Sequence, residues 1–171
     1  MLDILLSAEQ IQRRVAELAR AIRHDFPDDL HLVAVLKGAF VFVADLARQL
    51  SGDVSLDFIT LASYGHGTTS TGAVRHLGDL QMPLEGRNVV IVEDIVDTGR
   101  TLASLQQALR AHQPRALATV CLLDKPSRRQ VDVGVDYVGF TIQDHFVVGY
   151  GLDLAERYRH LPYVGVIPAT P

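Results

Sequence analysis

The chain has 171 residues, of which 48% are hydrophobic, and a formal net charge of −4 at pH 7. This length predicts one domain, residues 1–171, while no apolar run reaches the roughly eighteen residues of a membrane span and no basic block favours nucleic acid as a partner. The N-terminus lacks the basic segment of a signal peptide and the lone Cys121 lies in an apolar run, so we expect a cytoplasmic protein without disulfides.

Apolar periodicity alternates between strand and helix along the chain. Ser7 and Gln10 fit the capping box of a first helix, which carries an apolar stripe at helical spacing. Further elements are predicted, in chain order, as a strand at 32–36, a helix at 39–50, a strand at 54–61, a strand from 89, a helix from 102 to about 112, and strands at 116–123, 137–140, 146–148 and 163–167. This alternation predicts an α/β fold with a mostly parallel open sheet and helices on both faces.

The stretch 89–102 carries the clearest functional pattern. Val89 to Val92 is an apolar run typical of a strand buried on both faces, and it stops at two adjacent carboxylates, Glu93 and Asp94. The turn that follows supplies an acid, a glycine and two threonines, namely Asp97, Thr98, Gly99 and Thr101. Open α/β sheets bind ligands at the carboxyl ends of their strands, and turn amides at a helix N-terminus hold phosphate. The stretch therefore predicts a site for a sugar phosphate.

Other phosphate loops fit this stretch badly. The Gly-x-x-x-x-Gly-Lys-Ser/Thr pattern of a P-loop and the Gly-x-Gly-x-x-Gly pattern of a dinucleotide site are both absent from the sequence. Three carboxylates beside a phosphate cradle suit ribose hydroxyls and a magnesium ion. The alternative is an acidic loop without function, but its crowded carboxylates would repel one another. The stretch resembles the phosphoribosyl-diphosphate (PRPP) signature of the type I phosphoribosyltransferases.

Two lysines stand out in a chain whose basic residues are otherwise arginines. Of sixteen lysines and arginines, only Lys37 and Lys125 are lysines. Chance explains this composition about as well as function does. Each of the two, however, follows an apolar strand pattern, which places both just beyond strand ends at the same edge of the sheet as Glu93 and Asp94. We therefore expect both ammonium groups at the ligand site.

The segment from Ser63 to Ala73 interrupts the alternation. It is polar and contains Gly65, Gly67 and Gly72 without apolar periodicity. Most such segments are ordinary surface loops. The functional alternative is a lid that keeps water from a reactive sugar cation.

The motifs together resemble those of the bacterial hypoxanthine (hypoxanthine-guanine) phosphoribosyltransferases over nearly the whole chain. The matching segments are Leu36-Lys37-Gly38, Ser63-Tyr64, the PRPP signature, Leu123-Asp124-Lys125-Pro126, residues 136–140, residues 146–153 and Arg159. The resemblance implies the type I phosphoribosyltransferase fold, with a small hood formed by the N- and C-terminal segments. It also implies a homodimer or homotetramer.

The resemblance implies roles for the residues around PRPP. Glu93 and Asp94 would hold the ribose hydroxyls, directly or through magnesium-bound water, and Asp97 would be the general base for the purine N7 proton. The 5-phosphate would lie in the turn formed by Asp97, Thr98, Gly99, Arg100 and Thr101. The expected pyrophosphate and lid contacts are Lys37, Gly38, Arg159, Ser63 and Tyr64. An unusual backbone, such as a cis bond at Leu36–Lys37, would expose the Lys37 amide.

The C-terminal half would recognise the base. Lys125 would donate to the 6-oxo oxygen, Phe146 would stack on the ring and the Val147 backbone would contact the base edge. Asp153 would bind a second magnesium ion, so that the expected metal ligands are Glu93, Asp94 and Asp153. Taken alone, Phe146 would be assigned to the core and Asp153 to the N-cap of a helix at 154–157.

The expected activity is purine salvage: PRPP and hypoxanthine or guanine give IMP or GMP and pyrophosphate, with Mg²⁺ as cofactor. A nucleotide-sensing regulator that binds PRPP is one alternative, although it should show a basic face or an added DNA-binding domain. A transferase for another base, such as xanthine, adenine, orotate or uracil, is the second. Lys125 with Phe146 and Val147 favours a 6-oxopurine, while the sequence leaves the choice between hypoxanthine and guanine open.

Overall fold

A five-stranded parallel sheet forms the centre of the chain, which a computed structural model describes at residues 2–60 and 80–168. The elements are β1 (Asp3–Leu6), α1 (Ala8–Asp25), β2 (Leu30–Leu36), α2 (Phe40–Gln49), β3 (Val54–Thr60), β4 (Asn88–Val96), α3 (Arg100–Arg110), β5 (Ala116–Asp124), β6 (Tyr137–Thr141), β7 (Val147–Val148) and β8 (Val164–Val166). The strand order is β3-β2-β4-β5-β6. This confirms the predicted α/β fold.

Helices cover both faces of the sheet. The core on one face includes side chains of α1 and α2, and the core on the other includes Leu102, Leu105 and Leu109 of α3. Strands β2 and β4 lie inside the sheet and are buried on both faces, which explains their unbroken apolar runs. The capping box is present: Ser7 Oγ accepts from the Gln10 amide at 3.3 Å, and Gln10 Oε1 accepts from the Ser7 amide at 2.8 Å.

The chain ends form a second, smaller sheet. Strand β8 pairs antiparallel with both β1 and β7, in the order β1-β8-β7. The register places Asp3 and Val147 on opposite sides of Val166. This sheet is the expected hood of N- and C-terminal segments.

At the edge of the sheet that carries the acids, two element boundaries differ by two residues or more from those predicted. Strand β4 does not stop at Glu93, because Ile95 and Val96 continue its pairing with Leu123 and Asp124 of β5. Ile95 and Val96 are apolar and at least half-buried, so their packing favours continuation of the strand past the acids. Helix α3 begins at Arg100, two residues before the predicted start at Leu102. Its first two residues are polar and exposed, so the apolar periodicity does not include them.

A polar cluster lies near the amino ends of β2 and β3, at the edge of the sheet opposite Glu93. His31 is fully buried, and its Nδ1 is 2.8 Å from Ser55 Oγ while its Nε2 is 3.4 Å from Asp57 Oδ2. Burial and the nearby Arg87 guanidinium lower the pKa of His31. Asp57 Oδ2 also accepts from the amides of Gln81 and Met82, at 3.1 Å each. The cluster therefore holds the backbone of Gln81 and Met82 against β3.

None of the described helices has the length and apolar composition that crossing a membrane requires. The segment 63–73, with Ser63 and Tyr64, lies outside the described residues. The lid and its expected contacts thus stay predictions.

Candidate active site

Glu93 and Asp94 lie near the carboxyl end of the central strand β4. Glu93 is buried within the ladder, opposite Cys121 of β5, and Asp94 is half-buried with its Oδ1 accepting from the Ile95 amide at 2.8 Å. Burial, and then the charge of Asp94, raises the pKa of Glu93 well above its ordinary value. Burial raises the pKa of Asp94 to about 6, although the Ile95 amide opposes the change. Burial and repulsion disfavour the charged forms of these two adjacent acids. A cation or hydroxyl donors bound beside them would stabilise the carboxylates.

The backbone at Lys37–Gly38 lies directly against Asp94. The Leu36–Lys37 bond is cis, as the resemblance led us to consider. A Cβ atom added to Gly38 would overlap the Asp94 carboxylate, and one added to Gly151 would overlap the Gly38 carbonyl oxygen. Gly151 has φ +100°, a conformation that favours glycine. The Gly38 backbone therefore packs against the Asp94 side chain and against Gly151. These contacts join the end of β2, the end of β4 and the segment that follows β7.

The turn between β4 and α3 borders a cavity of about 230 Å³. Its lining residues include Leu36, Glu93, Asp97, Thr98, Gly99 and Thr101. Gly99 has φ +81° and provides no side-chain cap for α3. The Arg100 amide donates to Thr98 Oγ1 at 3.4 Å, and the amides of Thr101 and Leu102 are the first-turn donors suited to a bound phosphate. Arg100, the first residue of α3, is exposed. A cavity lined by acids on one side and a helix N-terminus on the other suits a sugar phosphate.

Asp97 is held by two arginines that follow Lys125. Arg128 Nε donates to Asp97 Oδ1 at 3.2 Å, and Arg129 Nη1 donates to the Asp97 carbonyl at 2.6 Å. The Gln130 amide donates to the Thr98 carbonyl at 3.0 Å. The Asp97 side chain remains 42% exposed. The carboxylate expected to act as general base is thus accessible, and the segment after β5 fixes its backbone.

Lys125 and Phe146 lie at the same edge of the sheet. Lys125 is buried, and its Nζ donates to the His145 carbonyl at 2.6 Å and lies 3.6 Å from Asp144 Oδ1. Phe146 is 55% exposed, so its assignment to the core is wrong. Val147 is buried in β7 beside it. An ammonium held in place next to an exposed aromatic ring can recognise a planar base with an oxo group.

Asp153 and Arg159 form a compact ion-pair network. Arg159 Nη2 is 2.9 Å from Asp153 Oδ1, and Arg159 Nη1 donates to the Gly151 carbonyl at 2.7 Å. The reading of Asp153 as a helix N-cap is wrong, because residues 154–157 form a tight turn instead of a helix. Asp153 Oδ2 accepts from the Glu156 amide of that turn at 2.8 Å. The charges of Arg159 and Asp153 both act on Asp94, which places this network at the acid pair.

The acids at this edge suit a magnesium ion only in part. The described portions of the chain contain no group of three His, Cys, Asp or Glu side chains placed to hold a metal ion. Magnesium in proteins is often held by one or two carboxylates, with waters and substrate oxygens completing its shell. The adjacent Glu93 and Asp94, with their mutual repulsion, fit such a site.

Several charged residues at this edge, Arg129 among them, were not predicted from the sequence. Arg128 contacts Asp97, and its Nη1 lies 3.6 Å from Asp144 Oδ2, while Glu156 contacts both Lys37 and Arg159. These charged residues lie in or next to the short 3₁₀ helix Pro126–Arg128 or in turns and loops, where neither period of apolar residues applies. The only sequence signal for them was proximity to predicted site residues. Arg128 follows Lys125 by three positions, and Glu156 lies between Asp153 and Arg159.

Comparison with known proteins shows the family of the chain. The family model of the phosphoribosyl transferase domain matches residues 1–155. The chain is 47% identical over 168 residues to the hypoxanthine phosphoribosyltransferase of Salmonella typhimurium, with 96% of this chain and 94% of the relative covered. It is 46% identical over 165 residues to the hypoxanthine-guanine phosphoribosyltransferase of Bacillus subtilis, with 96% and 92% covered.

A solved structure agrees at the level of the fold. The crystal structure of a hypoxanthine-guanine phosphoribosyltransferase from Bacillus anthracis matches with a TM-score of 0.93 and 48% identity, covering 98% of this chain and all of the other. The motif resemblance seen in the sequence is thereby confirmed. The chain belongs to the phosphoribosyltransferase family, in the group of hypoxanthine and hypoxanthine-guanine phosphoribosyltransferases.

Proposed function

We propose that the protein transfers the 5-phosphoribosyl group from PRPP to hypoxanthine, guanine or both, giving IMP or GMP and pyrophosphate. The observation that carries the proposal is the arrangement at one sheet edge, where Glu93 lines a cavity together with Asp97, Thr98, Gly99 and Thr101, and the adjacent Asp94 contacts the backbone of Gly38. Relatives with the names of this activity align over nearly the whole chain. The same resemblance supports a cytoplasmic enzyme that assembles as a homodimer or homotetramer.

The reaction replaces a bond between the anomeric carbon and pyrophosphate with one to a purine nitrogen. In the proposed complex, the α3 N-terminus and the turn before it bind the 5-phosphate, and Glu93 and Asp94 bind the ribose hydroxyls. Mg²⁺ held by these carboxylates would neutralise charge on the leaving group. Lys37 and Arg159 bind the pyrophosphate, and their positive charges stabilise it as it departs.

Proton transfer and base selection are assigned to the other end of the site. Asp97 takes the N7 proton, since its carboxylate is accessible and lies beside the cavity. Lys125 donates a hydrogen bond to the 6-oxo oxygen. Adenine has an amino group at that position, which could not accept this hydrogen bond. Phe146 stacks on the purine through its exposed ring. Asp153 is proposed to contact the base or a second metal ion.

A purine panel tests the proposal. Purified protein is incubated with PRPP, Mg²⁺ and hypoxanthine, guanine, xanthine or adenine, and nucleotide formation is followed. Hypoxanthine or guanine should react and adenine should not, and Asp97→Asn should lower kcat by roughly 10²- to 10⁴-fold, the usual contribution of a general base. Asp53→Asn, an exposed acid next to β3, is the matched control and should retain full activity.

Two outcomes would contradict the proposal. PRPP binding without turnover of any purine would favour a regulator or a transferase for a non-purine base. Full activity of Asp97→Asn would remove Asp97 from the role of base while leaving the overall reaction in place.

A further inference from the structure

Glu156 lies between the two basic side chains that are assigned to the pyrophosphate. Its Oε2 atom is 3.2 Å from Lys37 Nζ and 3.3 Å from Arg159 Nη2. One oxygen therefore contacts two cations that come from distant parts of the chain. A pyrophosphate oxygen bound by both cations would need this same place.

The backbone, not the ion pairs, sets the position of Glu156. Leu154 and Arg157 exchange two main-chain hydrogen bonds, of 3.2 and 3.0 Å, around the residue pair Ala155-Glu156. Both central residues have positive φ, +51° and +62°, as in a type I′ turn. Asn and Gly are the residues usually found there, so the turn uses a conformation that Ala and Glu seldom adopt. The Glu156 amide is further fixed by Asp153 Oδ2.

The contact of Glu156 with Lys37 is exposed to solvent, whereas the Arg159 side chain is only 19% exposed. The side chains of Lys37 and Glu156 are 66% and 64% exposed, so water and salt screen their attraction. A hydrogen bond from Lys37 lowers the pKa of Glu156, whose carboxylate is charged at neutral pH in any case. A ligand with several negative charges, such as pyrophosphate, would compete well against a single carboxylate.

We propose that Glu156 is an internal competitor for the pyrophosphate group, whose carboxylate occupies the place of a pyrophosphate oxygen between Lys37 and Arg159 until substrate displaces it. The inference rests on the proposed function, because it takes these two cations as the pyrophosphate site. Its consequence is that Glu156 weakens the binding of PRPP and of pyrophosphate, and that its return between the cations assists product release.

Glu156→Gln tests the competition, because glutamine keeps the size of the side chain and removes its charge. The variant should bind pyrophosphate, measured by calorimetry in the presence of Mg²⁺, roughly three- to tenfold more tightly than the wild type, as expected when one exposed ion pair and one partly buried ion pair are removed. The difference should shrink at high salt. Pyrophosphate should also become a stronger product inhibitor, and the KM for PRPP should fall.

Three controls separate this role from a structural one. Ribose 5-phosphate, which lacks the pyrophosphate, should bind Glu156→Gln and the wild type equally. Glu85→Gln removes one charge from an exposed turn and should leave pyrophosphate affinity unchanged. Arg159→Gln should weaken pyrophosphate binding, which verifies the site itself.

The outcomes distinguish failure of the inference from failure of the site assignment. If Arg159→Gln weakens pyrophosphate binding but Glu156→Gln binds as the wild type does, or more weakly, the competition is refuted and the site stands. If Arg159→Gln leaves pyrophosphate binding unchanged, Arg159 is not part of the pyrophosphate site and the inference fails with it.

Discussion

Replacement of Gly38 by alanine should destabilise the protein through Asp94. The added Cβ would overlap Asp94 Oδ2 and would lie 3.2 Å from Oδ1, so the carboxylate must leave its place and its hydrogen bond to the Ile95 amide. Overpacking costs about 1–3 kcal/mol, and a lost hydrogen bond to a charged group about 1.5–3 kcal/mol. Reduced freedom of the unfolded chain offsets about 0.4–1 kcal/mol.

The free energy of unfolding of Gly38→Ala should therefore fall by about 3 kcal/mol, equivalent to a Tm lower by about 6–12 °C for a chain of this size. Gly134→Ala is the matched control, because a Cβ there would meet no atom within 4 Å. It should be neutral or slightly stabilising. Urea unfolding of both variants measures the difference, and calorimetry with PRPP should show weaker binding by Gly38→Ala alone. Equal unfolding free energies for the two variants would refute the contact between Gly38 and Asp94.

Two further predictions concern the opposite edge of the sheet and the base site. The lowered pKa of His31 means that the unfolded state binds more protons at this residue, so the contribution of His31 to the free energy of unfolding should decrease as the pH falls below about 6.5. The raised pKa values of Glu93 and Asp94 act in the opposite direction, but equally in all variants, so the test is the difference between variants. Between pH 7.5 and 5.5 the urea midpoint of His31→Gln should change in a more stabilising direction than that of the wild type, while His24→Gln, an exposed control, should follow the wild type; equal changes in the two variants would contradict the assignment. Phe146→Ala should raise the KM for the purine about tenfold or more through lost stacking while changing the unfolding free energy by less than about 1 kcal/mol. Phe58→Ala, another exposed phenylalanine, should leave the KM unchanged, and a similar effect in both variants would argue against stacking.

The sheet and the central part of the site could be predicted because their signals are local. The buried runs of β2 and β4 leave few other structures open, and the acids and the Thr-Gly turn follow β4 directly in the sequence. The exact end of β4 was missed because a charged residue such as Glu93 is a poor strand signal, yet pairing with β5 carries the strand past it. Tertiary contacts there override the local pattern.

Other parts of the site depend on contacts that no periodicity reveals. The segment after Asp153 has a helical composition, but positive φ angles at Ala155, Glu156 and Tyr158 turn it away from a helix. The apolar pattern alone assigns Phe146 to the core, because an aromatic residue before two valines is typical of a buried strand; only the motif resemblance indicated a contact with the base. The contact between Arg128 and Asp97 joins residues 31 positions apart, so it follows from the fold and not from either segment alone.

The exposed ring of Phe146 also marks a position where a fluorescent tryptophan could be introduced to measure ligand binding. The sequence contains no tryptophan, and Phe146 stands beside the buried Lys125 at the expected base site. The hydroxyls of Tyr137 and Tyr150 donate to Asp25 and Asp45, away from that site. A Phe146→Trp variant would thus carry its sole indole at the proposed purine site, and a change in its emission on adding a purine would report base binding directly, without coupling to turnover.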